Sequence, residues 1–182
     1  EHHLSHAASS FFVSGYKNSA IITWDGRGEW PCLLLAKGQD NNIKIIKEQT
    51  VPNSLGQFYE SITNYLGFDG IGDEYKVMGL APYGSPAYLS EMKQIVNLKD
   101  DGTYKLNLNY FCFHKEKVAY EWNDGSPSVG QLYSSNLIKL LGPARKKDEE
   151  LTQISREIRN KEKELKFKDD EQNRKDLDLK IR

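Results

Sequence analysis

Ala20-Ile21-Ile22-Thr23-Trp24-Asp25-Gly26-Arg27-Gly28 is the stretch that decides how the rest of this 182-residue chain is read. Its first five residues form a β-branched and aromatic run suited to a strand. The Asp-Gly-Arg-Gly that follows is turn chemistry and ends it. Two further strand-like runs come next, Cys32 to Lys37 and Ile43 to Glu48, separated by the polar reverse-turn composition Gly38-Gln39-Asp40-Asn41-Asn42. Together they predict a three-stranded antiparallel meander. Upstream stands Glu1-His2-His3-Leu4-Ser5-His6, and then Ala7 to Phe12, small residues followed by aromatic ones, as in a helix packed closely on a domain. On a helix, His2 and His6 share one face a turn apart, which is how two imidazoles are offered to one metal ion. Three clustered histidines are also the composition of a solvated start or a purification-tag scar.

Downstream the period changes from strand to helix. Leu55, Phe58, Tyr59, Ile62, Tyr65 and Leu66 recur at helical spacing, with Ser54 placed to cap the start and Gly67 to close the end. Further helices are predicted over Asp73 to Leu80, stopped by Pro82, over Ala87 to Val96, and over Val129 to Leu141. Thr103 to Leu108 reads as one more strand. Near Gly142-Pro143 the composition shifts. From Lys146 to Arg182 the chain is dominated by Lys, Arg, Asp and Glu of balanced sign, without Gly or Pro. Such a stretch forms a solvated helical tail laced with i,i+4 ion pairs and cannot supply a core. Residues 1–145 are therefore expected to be the globular part and 146–182 a charged tail, non-native or divergent.

The net charge of -1 gives no electrostatic platform for nucleic acid or anionic lipid. No run of about 18 apolar residues is present to span a membrane. Cys32 and Cys112 lie far apart among apolar or aromatic neighbours, which points to buried reduced thiols and a cytoplasmic setting. The chain starts at Glu1 and enters a motif at once, so it is expected to be a fragment with its N-terminal part, and any signal peptide, missing.

Two further groups of residues carry chemistry. In Asp25-Gly26-Arg27-Gly28-Glu29, a glycine-rich turn after a strand lets backbone N–H groups approach a phosphate, while the carboxylate can reach a metal or its bound water. Asp-Gly-x-Gly is equally an ordinary hairpin turn, and Arg27 either counters a phosphate or is solvated. In Gly72-Asp73-Glu74-Tyr75-Lys76-Val77-Met78-Gly79-Leu80-Ala81-Pro82-Tyr83-Gly84, the acids suit a helix N-terminus. Lys76 can hold an oxygen as a point charge or simply be solvated. Gly79 within a helix suggests close approach by another backbone or a ligand, or packing on a neighbouring helix.

Taken in order with Asn53-Ser54-Leu55-Gly56, Tyr110-Phe111 and Leu141-Gly142-Pro143-x-Arg145, these motifs resemble the O-carbamoyltransferase family of nodulation-factor, cephamycin and aminoglycoside tailoring enzymes, from Glu1 through about Gln153. The resemblance implies an α/β fold, an incomplete first half of an actin-like ATPase (ribonuclease H-like) domain related to the tRNA threonylcarbamoyl transferase. It implies two steps. Carbamoyl phosphate and ATP give carbamoyl-adenylate, and the carbamoyl group then passes to a hydroxyl of a small-molecule acceptor. By the same resemblance His2, His6 and Asp25 would be ligands of an iron-like divalent metal, with manganese or zinc also suited to imidazole and carboxylate. The ion would polarise the carbamoyl oxygen. His3 would stand as a second-layer group or acceptor-side base. Gly26, Gly28 and Glu29 would line the adenylate phosphate or acceptor side, and Asp73 and Lys76 would border the pocket.

The C-terminal adenylate-forming domain and the second actin-like half, with a further metal-binding aspartate, have no counterpart in these residues. The fragment alone is therefore expected to bind metal weakly and not to turn over. The other reading is a non-catalytic remnant, or a metal- and nucleotide-binding module acting through partner contacts of the tail.

Overall fold

The computed structural model describes residues 1–115, 117–123 and 125–147. Helix α1 (His2–Phe11) leads into strands β1 (Asn18–Trp24), β2 (Pro31–Gln39) and β3 (Asn42–Thr50). The three strands form one antiparallel sheet in the order β1-β2-β3, the expected meander. Ile22 pairs with Leu35 and Trp24 with Leu33, and β3 shifts register against β2 between Leu35 and Ala36.

Alternation along β2 divides its side chains between the two faces of the sheet. Leu34 and Ala36 join Ile21, Ala7 and Phe11 in a buried cluster beneath α1. Burial of a side chain the size of Phe11 stabilises by about 1.5–3 kcal/mol. Gly38 is what admits that ring, because a Cβ there would lie 2.5 Å from it. Leu33 faces the other way, into a second cluster with Tyr104 and Leu106.

Helix α2 (Leu55–Tyr65) starts where predicted, since the Ser54 side chain accepts the Gln57 N–H. It ends at Gly67, whose φ of 81° is a left-handed turn that glycine adopts without strain. Helix α3 (Glu74–Leu80) passes into a short 3-10 turn at Ala81–Tyr83 and buries no residue. Helix α4 (Leu89–Ile95) is shorter than the predicted 87–96, because Val96 already belongs to β4 (Val96–Leu98), which pairs with β5 (Tyr104–Leu106). Strands β6 (Tyr120–Asn123) and β7 (Ser126–Val129) form a third small sheet that the sequence reading did not include.

One helix prediction is corrected. Val129 to Leu141 is helical only as α5 (Ser135–Leu141). Val129 pairs with Tyr120, its N–H donates to the Asp69 carbonyl, and the Gly130 N–H donates to the Ala119 carbonyl, so these groups are not available to a helix. The helix begins only after Ser134, whose hydroxyl accepts the Asn136 N–H. Leu137 of α5 and Ile95 of α4 are fully buried with Phe111 and Tyr65 in a third cluster. Gly79 is also corrected: a Cβ there would meet nothing within 4 Å, so among the described residues no backbone or helix approaches it closely.

The architecture is thus mixed α/β with small antiparallel sheets. Both cysteines are buried and no disulfide joins them, and the one Cys32 S–H is shared between the Gln49 and Asn53 carbonyls. No helix among the described residues is long and apolar enough to cross a membrane. The charged helical tail predicted over 146–182 lies, beyond Lys147, outside the described residues.

Candidate metal centre

Helix α1 presents His2 and His6 on its exposed side, toward the turn that follows β1. His2 Nε2 lies 2.7 Å from Asp25 Oδ2 and 3.0 Å from His6 Nε2, and His6 Nε2 lies 3.7 Å from the same carboxylate oxygen. One ligand atom from each of the three falls within 4.8 Å of the others, the arrangement that can hold a metal ion. Two ligands about 2.1 Å from a tetrahedral ion stand about 3.4 Å apart, so the observed spacings bracket what coordination needs. His2 Nε2 carries at most one hydrogen yet faces two partners at hydrogen-bonding distance. A cation between the three groups would relieve that conflict. Three protein ligands also leave a fourth position open, as in catalytic rather than structural sites.

The carboxylate is prepared for that role. Burial pushes the Asp25 acid up, but the hydrogen bond from His2, the Gly26 N–H and the nearby imidazoles together outweigh it and hold it below the usual carboxylate value. The Gly26 N–H donates to Asp25 Oδ1 at 2.6 Å. The Gly28 N–H donates to the Pro31 carbonyl at 2.9 Å. Two of the amides expected to face a phosphate are therefore engaged within the turn. Gly28 has a steric function as well: a Cβ there would sit 2.2 Å from the His2 ring. Glu29 turns outward with a φ of 62°, and Trp30 beside it is 75% exposed.

His3 behaves differently from its neighbours. It is buried, its Nδ1 lies 2.7 Å from Thr23 Oγ1, and its Nε2 lies 3.1 Å from the Pro31 carbonyl. Burial, reinforced by the fields of His2 and His6 and only partly opposed by the Pro31 carbonyl and Asp25, lowers its pKa and keeps the ring neutral.

Asp73 and Lys76 pair with each other. Lys76 Nζ lies 2.7 Å from Asp73 Oδ1, and Asp73 Oδ2 accepts the Gly70 N–H. The hydrogen bond to Asp73 raises the Lys76 pKa, so the ammonium stays charged. Neither residue joins the three ligand atoms.

Two residues outside the sequence-predicted set hold this region together, and a third, Glu60, lies within reach of its charges. The Ser54 hydroxyl donates toward the carbonyls of Asp25 (3.1 Å) and Gly26 (2.6 Å), seating the start of α2 on the turn. Gly56 lets that helix come close, since a Cβ there would be 2.4 Å from the Gly26 nitrogen. Glu60 is the only charged residue of α2. Burial raises its pKa, the Glu74 carboxylate adds to the effect, and Arg27 opposes it. Glu60 is thus repelled by the carboxylate of α3 and drawn, more weakly, toward Arg27 in the turn after β1. Its solitary charge in the helix was the available signal.

In a family comparison, residues 1–123 match the model described as "Carbamoyltransferase N-terminus". The chain belongs to that carbamoyltransferase family. It is 46% identical over 114 residues to the uncharacterized protein sll1178 of Synechocystis sp., covering 62% of this chain and 18% of that protein. It is 45% identical over 109 residues to the nodulation protein NolNO of Sinorhizobium fredii, covering 59% and 16%. With the nodulation protein NolO of Bradyrhizobium diazoefficiens the identity is 42% over 109 residues, covering 59% and 20%. The aligned part spans 16% to 20% of the length of these relatives.

Proposed function

We propose that this chain supplies the metal-binding part of an O-carbamoyltransferase, which moves a carbamoyl group from carbamoyl-adenylate, made from carbamoyl phosphate and ATP, to a hydroxyl of a small-molecule acceptor. The observation that carries this reading is the convergence of His2, His6 and Asp25 from two separate elements in a chain of the carbamoyltransferase family. A divalent cation held there, iron-like or alternatively manganese or zinc, would act as a Lewis acid toward the carbamoyl oxygen. The chain's own residues keep Asp25 ionised, leave room at Gly28 for the His2 ring, and seat the turn on α2 through Ser54. With the Gly26 and Gly28 amides engaged, a phosphate near the turn would meet the exposed Arg27. Asp73 and Lys76 would border the adenylate side. In this reading the fold is part of an actin-like domain, completed in the cytoplasm by an adenylate-forming domain.

The test is metal content and carbamoyl-adenylate binding, measured on this chain and on the full-length gene product, beside His2→Ala and His6→Ala. One metal is expected in the full-length protein and weaker binding of the same ion by this chain, both lost in the two variants, together with loss of carbamoyl transfer by the full-length protein. Equal metal content and adenylate binding without the imidazoles would contradict the assignment.

A further inference from the structure

The Pro31 carbonyl receives two contacts, from the Gly28 N–H at 2.9 Å and from His3 Nε2 at 3.1 Å. On the other side of the same ring, Nδ1 meets the Thr23 hydroxyl at 2.7 Å. A carbonyl only accepts, so Nε2 carries a proton, and in the Nε2–H tautomer Nδ1 accepts from the Thr23 hydroxyl. A single imidazole therefore ties helix α1 to β1, two residues before Asp25, and to the first residue of β2, which also closes the Gly28 turn. His2 sits next in sequence and His6 less than one turn on, so whatever fixes the His3 ring fixes both imidazoles relative to the carboxylate.

From this geometry we infer that Thr23 and His3 are positioning residues, a hydroxyl–imidazole–carbonyl brace that sets the spacing of the His2, His6 and Asp25 ligand atoms. The inference rests on the metal-binding reading above. It also removes His3 from the candidates for proton transfer. Its one lone pair is already engaged by Thr23, and the ring is buried. Partners that orient ligands from outside the coordination sphere commonly change metal affinity by about 10–100-fold when removed.

The probe is Co2+, whose absorption reports its ligand geometry, titrated into the 182-residue chain. Thr23→Val keeps the shape but removes the donor, and Thr23→Ser restores it. The expected result is Co2+ affinity reduced by roughly 10-fold in Thr23→Val, with an altered visible spectrum, and recovered in Thr23→Ser. Ile95→Val, in a separate core cluster, controls for general destabilisation and should lower Tm without moving the Co2+ affinity. Imidazole 15N spectra of the unaltered chain should show His3 as the Nε2–H tautomer, a readout that needs no variant to fold. If the unaltered chain binds Co2+ and His2→Ala does not, but Thr23→Val binds as tightly as the unaltered chain, the brace is wrong and the metal reading stands. If the unaltered chain binds no Co2+, or His2→Ala binds it equally, both fall. A Nδ1–H tautomer for His3 overturns the brace alone.

Discussion

The turn after β1 and helix α3 both bring acids and bases together, but they do so over very different chain separations. Around Asp25 the partners come from far along the sequence. His2 is 23 residues away, the Ser54 hydroxyl 29, and His3 spans 20 and 28 residues to Thr23 and Pro31. In α3 the polar groups satisfy each other locally, Lys76 with Asp73 three residues back and Asp73 with the Gly70 amide, and no residue of the helix is buried. Charges brought together by folding are held in place by the core beneath them, whereas a local pair on an exposed helix is held by little except itself. The first region is built from long-range contacts, and the second from a local pair.

Exchange of a single glycine in each region should act in opposite directions. Gly56→Ala places a Cβ 2.4 Å from the Gly26 nitrogen and 2.7 Å from the Asp25 carbonyl carbon, both backbone atoms that cannot swing aside. It should cost about 3 kcal/mol in urea unfolding and weaken metal binding as α2 is pushed off the turn. Gly79→Ala in α3 meets nothing and should instead stabilise by roughly 0.5–1 kcal/mol. A loss of stability in Gly79→Ala would mean that α3 is packed more tightly than described.

Alkaline titration probes the first region through Tyr104, whose hydroxyl accepts the Leu55 N–H at the start of α2. Burial, with the Cys32 thiol beside it, pushes the phenol up to about 12 from its ordinary 10. Because the folded-state value is the higher one, this contribution is complete below pH 10 and is lost as pH rises through 12. Urea unfolding followed from pH 9 to 12 should lose about 2 kcal/mol that Tyr104→Phe does not lose. The smallest effect is expected from Lys76→Met. Its ammonium is partly exposed and its pair with Asp73 is screened, so unfolding should change by less than about 0.5 kcal/mol.

The meander was legible because β-branched runs and the Asp25-Gly26 and Gly38 to Asn42 turns are local signals. Ser54 and Gly67 likewise marked the ends of α2, and the spacing of His2 and His6 on one helical face is local arithmetic. What escaped depends on distant pairing. The β6–β7 hairpin and the late start of α5 follow from Asp69 and Ala119 carbonyls capturing amides of Val129 and Gly130. Helical spacing set His3 off the face shared by His2 and His6, but it did not say what His3 would touch. That appears only when Thr23 and Pro31 come beside it. Gly79 misled because a glycine in a helix signals close approach only when a neighbour faces that position, and among the described residues nothing lies within 4 Å of a Cβ there.

The most direct test of the central claim is anomalous diffraction from crystals of this chain soaked in Zn2+, recorded on either side of the zinc edge. The account predicts one strong peak about 2.1 Å from His2 Nε2, His6 Nε2 and an Asp25 oxygen, with His3 still bonded to Thr23 and Pro31. A peak elsewhere, or one coordinated by His3 in place of His2 or His6, would contradict it.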